Sequence, residues 1–78
     1  MRKFMVIERF KDGCLDAVYD RFQNEGRLLP DGLHYVNSWL NRQHELCFQL
    51  METSDPDLFE IWFERWRDLV DFELFEID

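Results

Sequence analysis

Four stretches of this chain alternate between apolar and polar residues with a period of two, and two others repeat with a period of roughly 3.6, the signatures of strands and helices. Phe4 to Phe10 is the first predicted strand. Phe4, Val6, Glu8 and Phe10 point one way, and Met5, Ile7 and Arg9 the other. Lys11-Asp12-Gly13 is a turn in which Asp12 can cap the next helix. That helix runs roughly from Cys14 to Glu25, with Leu15, Val18, Tyr19 and Phe22 forming one apolar stripe. Gly26 stands where a left-handed residue ends a helix without strain. Pro30-Asp31-Gly32 is a second turn.

Leu33 to Leu40 and Glu45 to Glu52 are predicted to pair as a hairpin through Asn41 to His44. With Arg42-Gln43 as a two-residue loop, Trp39 faces Leu46, Asn37 faces Phe48 and Tyr35 faces Leu50. That mostly apolar side is assigned to the helices. The other side sets His34, Val36, Ser38 and Leu40 against Met51, Gln49, Cys47 and Glu45. A slip of one residue would exchange the two sides. Asp55 then suits an N-cap, Pro56 a first helical position and Asp57 the positive end of the helix dipole. Leu58, Phe59, Trp62, Phe63, Trp66, Leu69 and Val70 make a broad apolar helix face, with Glu60, Glu64, Arg67 and Asp68 opposite. Phe72 to Ile77 is the last strand. The order predicts an α+β fold, a ferredoxin-like βαββαβ sandwich with a four-stranded antiparallel sheet and two helices on one face. It forms a single domain over residues 1–78.

Such a sheet has one face left open, and an open face in water should read as polar. Here both sides of the strands are apolar: Phe4 and Val6 against Met5 and Ile7, Phe72 and Leu74 against Phe75 and Ile77. Monomers rarely expose large contiguous apolar patches. The second face is therefore expected to meet the same face of an identical subunit about a two-fold axis, giving a homodimer. His34, Val36, Ser38, Leu40, Cys47, Gln49 and Met51 are assigned to that interface.

The segments Phe4-Met5-Val6-Ile7-Glu8, Val36-Asn37-Ser38-Trp39 and Cys47-Phe48-Gln49-Leu50-Met51-Glu52, with the W-x-x-x-W-x-D-L-x-x-F spacing from Trp62 to Phe72, resemble a small bacterial family, domain of unknown function 3303. The resemblance covers nearly the whole chain. It implies a dimeric α/β barrel, in which two ferredoxin-like subunits pack sheet to sheet, and brings no catalytic residues with it.

Net charge narrows the range of partners. At −8 the surface repels nucleic-acid backbones and anionic membranes, so neither is expected as a partner. No stretch is long and apolar enough for a membrane span, and Met1-Arg2-Lys3 leads straight into a strand with no export signal. Cys14 and Cys47 form no C-x-x-C pair and read as reduced thiols of a cytoplasmic protein. A metal is not expected. His34 and Cys47 lie on one predicted face but ~13 Å apart at roughly 3.3 Å per residue, whereas zinc ligands sit about 2.0–2.3 Å from one point. No cofactor is implied.

The remaining chemistry is sparse. Cys14 lies near a helix start, where thiols acidify, but Asp12 and Asp16 oppose this, and a small residue filling the helix start is the simpler reading. Glu8, Arg9 and Glu52 show no catalytic geometry, and no nucleophile–base set is present. Tyr35, Asn37 and Trp39 with Trp62 and Trp66 are the candidate ligand-binding residues, set against the plainer reading that the rings fill the core. The sequence thus points to an accessory or small-ligand-binding homodimer. The alternatives are a protein-interaction module and, by analogy with the dimeric α/β-barrel superfamily that the resemblance implies, a cofactor-independent enzyme, of monooxygenase or isomerase type, acting on a small apolar organic substrate.

Overall fold

In the computed structural model, which describes residues 1–78, the chain runs β1 (Arg2–Phe10), α1 (Leu15–Glu25), β2 (His34–Asn41), β3 (Leu46–Thr53), α2 (Leu58–Glu64) and β4 (Val70–Ile77). Every strand pair is antiparallel and the sheet order is β2-β3-β1-β4. This is the ferredoxin-like α+β sandwich, with β1 and β3 in the middle and both helices on one face. No helix is long and apolar enough to cross a membrane.

The core follows from the alternation in β1. Phe4, Val6, Glu8 and Phe10 are buried in register beneath the helices. Phe59, Trp62, Phe63 and Trp66 join Phe4, Val6, Met51 and Leu33 in one cluster. Phe4 meets Phe59 edge-on at 5.0 Å, and Phe63 stacks on Phe72 at 4.2 Å, two favoured aromatic geometries. Each such side chain removed from water contributes about 1.5–3 kcal/mol.

Three local expectations are revised. Asp12 does not cap α1: Cys14 is the N-cap and makes no capping bond. Asp55 bonds the Asp57 N–H through Oδ1 at 3.1 Å, but the N–H groups of Leu58, Phe59 and Glu60 reach back only three residues, so the regular helix starts at Leu58. It also stops at Glu64. Residues 65–69 continue as tight turns, and β4 begins at Val70, two residues earlier than expected, because Val70 pairs with Phe10. The glycine cap is as expected: Gly26 takes φ 70 and donates its N–H to the Phe22 carbonyl at 2.8 Å.

The hairpin brings the larger correction. Its turn is Arg42–Glu45, four residues long, with Glu45 at φ 54 and Asn41 Oδ1 accepting the His44 N–H at 3.1 Å. Trp39 therefore lies opposite Phe48 and Asn37 opposite Leu50, two residues along from the expected partners. A shift of two keeps the faces intact. A bulge at Val36 then sets Tyr35 opposite Met51 and His34 opposite Glu52, so these two residues exchange sides.

The assignment of faces is reversed. Ser38, Leu40, Cys47, Gln49 and Met51 lie under the helices, while Asn37 and Trp39 lie on the open face with Phe48 and Leu50. The reason is the central strand. The Phe4–Val6–Glu8 row must lie beneath the helices, and its partners across β3 are Met51, Gln49 and Cys47. Which side of the hairpin is locally more apolar does not enter. The open face consequently carries Met5, Ile7, Trp39, Phe48, Leu50 and Phe75, with Trp39 at 50% and Phe75 at 49% exposure.

Candidate functional site

α2 packs tightly on the sheet through its aromatic residues. α1 has no fully buried residue and rides higher. The space left beneath it is a half-open cavity of about 220 Å³. Val18, Tyr19 and Phe22 of α1 form one wall, and Trp62 and Trp66 another. The sheet supplies Glu8 and Phe10 from β1, Cys47 and Gln49 from β3, and Ser38 and Leu40 from β2. Arg27, in the turn after α1, is the one cationic residue around it.

Glu8 is the unusual member. It is 6% exposed on a strand face otherwise made of Phe4, Val6 and Phe10. Gln49 Nε2 donates a hydrogen bond to its Oε1. The Cys47 thiol lies directly across the β1–β3 pair from it. Burial raises the Glu8 pKa, and the bond from Gln49 and the charge of Arg27 only partly oppose this. The Cys47 thiol is pushed up to about 12, by burial first and by the neighbouring Glu8 second. At neutral pH it is a protonated thiol and not a nucleophile.

Arg27 completes the cluster. Its Nε donates to Gln49 Oε1 at 3.3 Å, so Gln49 bridges guanidinium and carboxyl group. The guanidinium carbon lies 3.5 Å from the Tyr35 ring centre and 5.0 Å from that of Phe22, a cation–π arrangement. The backbone here is held in place. Both indoles, Trp62 Nε1 at 2.8 Å and Trp66 Nε1 at 2.9 Å, donate to the Arg27 carbonyl. Arg65 Nη1 donates to the next carbonyl, that of Leu28, at 2.8 Å, and Leu28 itself takes φ 60. An i, i+4 tryptophan pair thus fixes the turn that aims Arg27 across the cavity. The result is a buried proton acceptor and a cation, linked by an amide, in a mostly apolar chamber.

The structure separates the residues expected to act together. Trp62 and Trp66 both line the cavity and belong to the core. Tyr35 holds Arg27 from below, and its hydroxyl shares a 2.7 Å bond with Ser38 Oγ. Asn37 and Trp39 are on the other side of the sheet, away from the cavity. Of the residues assigned to a subunit interface, Ser38, Leu40, Cys47 and Gln49 line the cavity, and Met51 is buried in the core. His34 stays on the open face, and Val36 is the exposed bulge residue. His34 and Cys47 lie on opposite faces, and no three His, Cys, Asp or Glu side chains cluster as metal ligands do. Sequence reasoning set Glu8 aside as lacking catalytic geometry and missed Arg27. A carboxylate on the apolar side of a central strand was the visible signal for Glu8, since such a group is buried at a cost. Arg27, in a loop, gave none.

Fold and cavity together define a ferredoxin-like α+β domain with a pocket between α1 and the sheet. The family described as Domain of unknown function (DUF3303) matches residues 2–75, and the chain belongs to it. No curated protein matches the chain.

Proposed function

We propose that this protein is a small-ligand-binding homodimer whose ligand occupies the cavity beneath α1. The observation that carries this is the half-open chamber of about 220 Å³, walled mostly by apolar side chains, with Glu8, Gln49 and Arg27 converging on it. Ligand sites combine apolar walls with a few placed polar groups in this way. A pure interaction module would have no use for a chamber of this kind beneath its helix. The free thiols Cys14 and Cys47 suit the reducing cytoplasm.

The dimer uses the open face. Met5, Ile7, Phe48 and Leu50 form its centre and Trp39 and Phe75 flank them, while Arg9 pairs with Glu73 at one side at 2.9 Å. An apolar centre with charged edges suits a self-complementary surface closed by a two-fold axis. Sedimentation at micromolar concentration is expected to give twice the chain mass, and Phe48→Glu to give a folded monomer. A folded, soluble wild-type monomer there would refute the assembly. For the pocket, a thermal-shift screen of small aromatic and apolar compounds is expected to yield stabilising hits that Phe22→Trp, which fills the chamber, abolishes. A screen without hits would refute ligand binding.

A second reading, a cofactor-independent enzyme acting on a small organic substrate, is favoured by Glu8 alone. A buried carboxyl group with a raised pKa beside a cation is suited to proton transfer.

A further inference from the structure

We propose that the cavity binds small apolar monocarboxylates, the carboxylate resting on the free edge of Arg27 and the apolar body lying over Glu8. The inference rests on the ligand-pocket reading above and names the chemical class of the ligand.

Arg27 gives the strongest argument. Its Nε is engaged by Gln49, and one flat face is engaged by Tyr35. Its two Nη atoms make no hydrogen bond or ion pair within the protein, unlike those of Arg2, Arg21, Arg65 and Arg67. A guanidinium stacked on one face and tied at Nε has its outer edge left to offer. That edge is a fork of parallel N–H groups that matches a carboxylate. The turn carrying it is pinned by two indoles, so the fork is held in place before a ligand arrives.

The rest of the chamber sets the body of the ligand. Eight of the twelve residues around it are hydrophobic. An apolar cavity of about 150 Å³ in another protein accepts benzene, so about 220 Å³ has room for a ring with one carboxylate. The protein's net charge of −8 gives no general attraction for anions. Selectivity for one must therefore come from Arg27, at short range, where salt screens little.

Glu8 decides how pH enters. Facing it are Cys47 and Gln49 from β3, Tyr19 from α1, Arg27 from the turn, Trp62 and Trp66 from the α2 side, and Phe72 opposite it on β4. Cys47 stays protonated, so Glu8 is the one nearby carboxylate whose charge would repel the ligand. Its burial already favours the uncharged acid. Binding of an anion favours that form further, so anion binding and protonation of Glu8 strengthen each other.

The test compares benzoate with its neutral counterpart benzyl alcohol, by calorimetry or NMR titration over a pH series that starts just above the ordinary carboxylate range and rises from there. Wild type is expected to bind benzoate more tightly, with affinity falling by up to about tenfold per pH unit as Glu8 ionises. Glu8→Gln is expected to bind benzoate with a flat profile. Arg27→Met leaves the backbone carbonyl that receives the indoles, and is expected to lose the preference for benzoate while still binding benzyl alcohol. Circular dichroism verifies that both variants fold, and should Arg27→Met not fold, the Glu8→Gln profile decides alone. Equal binding of the two compounds by wild type at every pH overturns the proposal and leaves the pocket reading standing. A wild-type profile that is flat, or that Glu8→Gln does not alter, overturns the part given to Glu8. If neither compound binds, the pocket reading falls and the inference with it.

Discussion

Trp62 and Trp66 converge on one acceptor, and their coupling can be measured. Each indole N–H donates to the Arg27 carbonyl, at 2.8 Å and 2.9 Å. Trp66→Phe removes one donor and some ring volume but leaves the carbonyl bonded to Trp62. The lost bond is worth about 0.5–1.5 kcal/mol net, and the reduced ring about one buried methylene, ~0.8 kcal/mol. Each single change is therefore expected to cost about 1.3–2.3 kcal/mol. In the double variant the carbonyl loses both partners, and an unsatisfied acceptor costs a further ~1–3 kcal/mol. The double variant is thus expected to exceed the sum of the singles by about 1 kcal/mol or more, as it does for groups sharing a partner. Urea denaturation followed by circular dichroism, at one fixed protein concentration because a dimer's stability depends on it, gives the three differences. Additivity within about 0.5 kcal/mol would show that the carbonyl finds other partners and that the indoles do not jointly fix the Arg27 turn. Trp66→Ala sets the scale: at 5% exposure in the core, truncation is expected to cost about 3–5 kcal/mol.

Thr53 is fully buried, with Oγ1 donating to the Gly32 carbonyl at 2.8 Å and accepting the Asp55 N–H at 3.0 Å. Thr53→Val keeps the shape and removes both bonds, so a loss of about 1–3 kcal/mol is expected in the same denaturation assay; a neutral result would contradict the claim that Thr53 ties β3 to both turns. Glu8 makes stability depend on pH. Its folded pKa is raised, so between the ordinary glutamate range and that raised value the native state holds a proton the unfolded chain has lost, and stability falls as pH rises. Melting temperatures of Glu8→Gln and wild type are therefore expected to diverge in favour of the variant as pH rises through that window. A constant difference would mean that Glu8 is solvated. The lowered pKa values of Asp68 and Glu76, set mainly by hydrogen bonds from Arg21 and Arg2, act the other way at lower pH and cancel in the comparison.

The elements, their order and the architecture were legible in the residue pattern, because period-two and period-3.6 patterns report which residues share a face whatever lies opposite. Phe4, Val6 and Phe10, the Gly26 cap, the apolar face of α2 and the apolar character of both sheet faces were all legible in this way. Element ends were less so. No proline or glycine lies between Arg65 and Leu69, yet the chain leaves the helix there because Val70 pairs with Phe10. Which hairpin side the helices cover was set by long-range packing. Local composition favours Trp39, Phe48 and Leu50, but the choice belongs to β1, whose buried row pairs with Met51 and Gln49 through contacts more than forty residues apart. The site was decided there too. Glu8 and Gln49 bond across 41 positions, and Arg27 is aimed by carbonyl bonds from residues 35 and 39 positions on. Periodicity records the face of each residue along its own segment, and the meeting of distant segments leaves no mark in it.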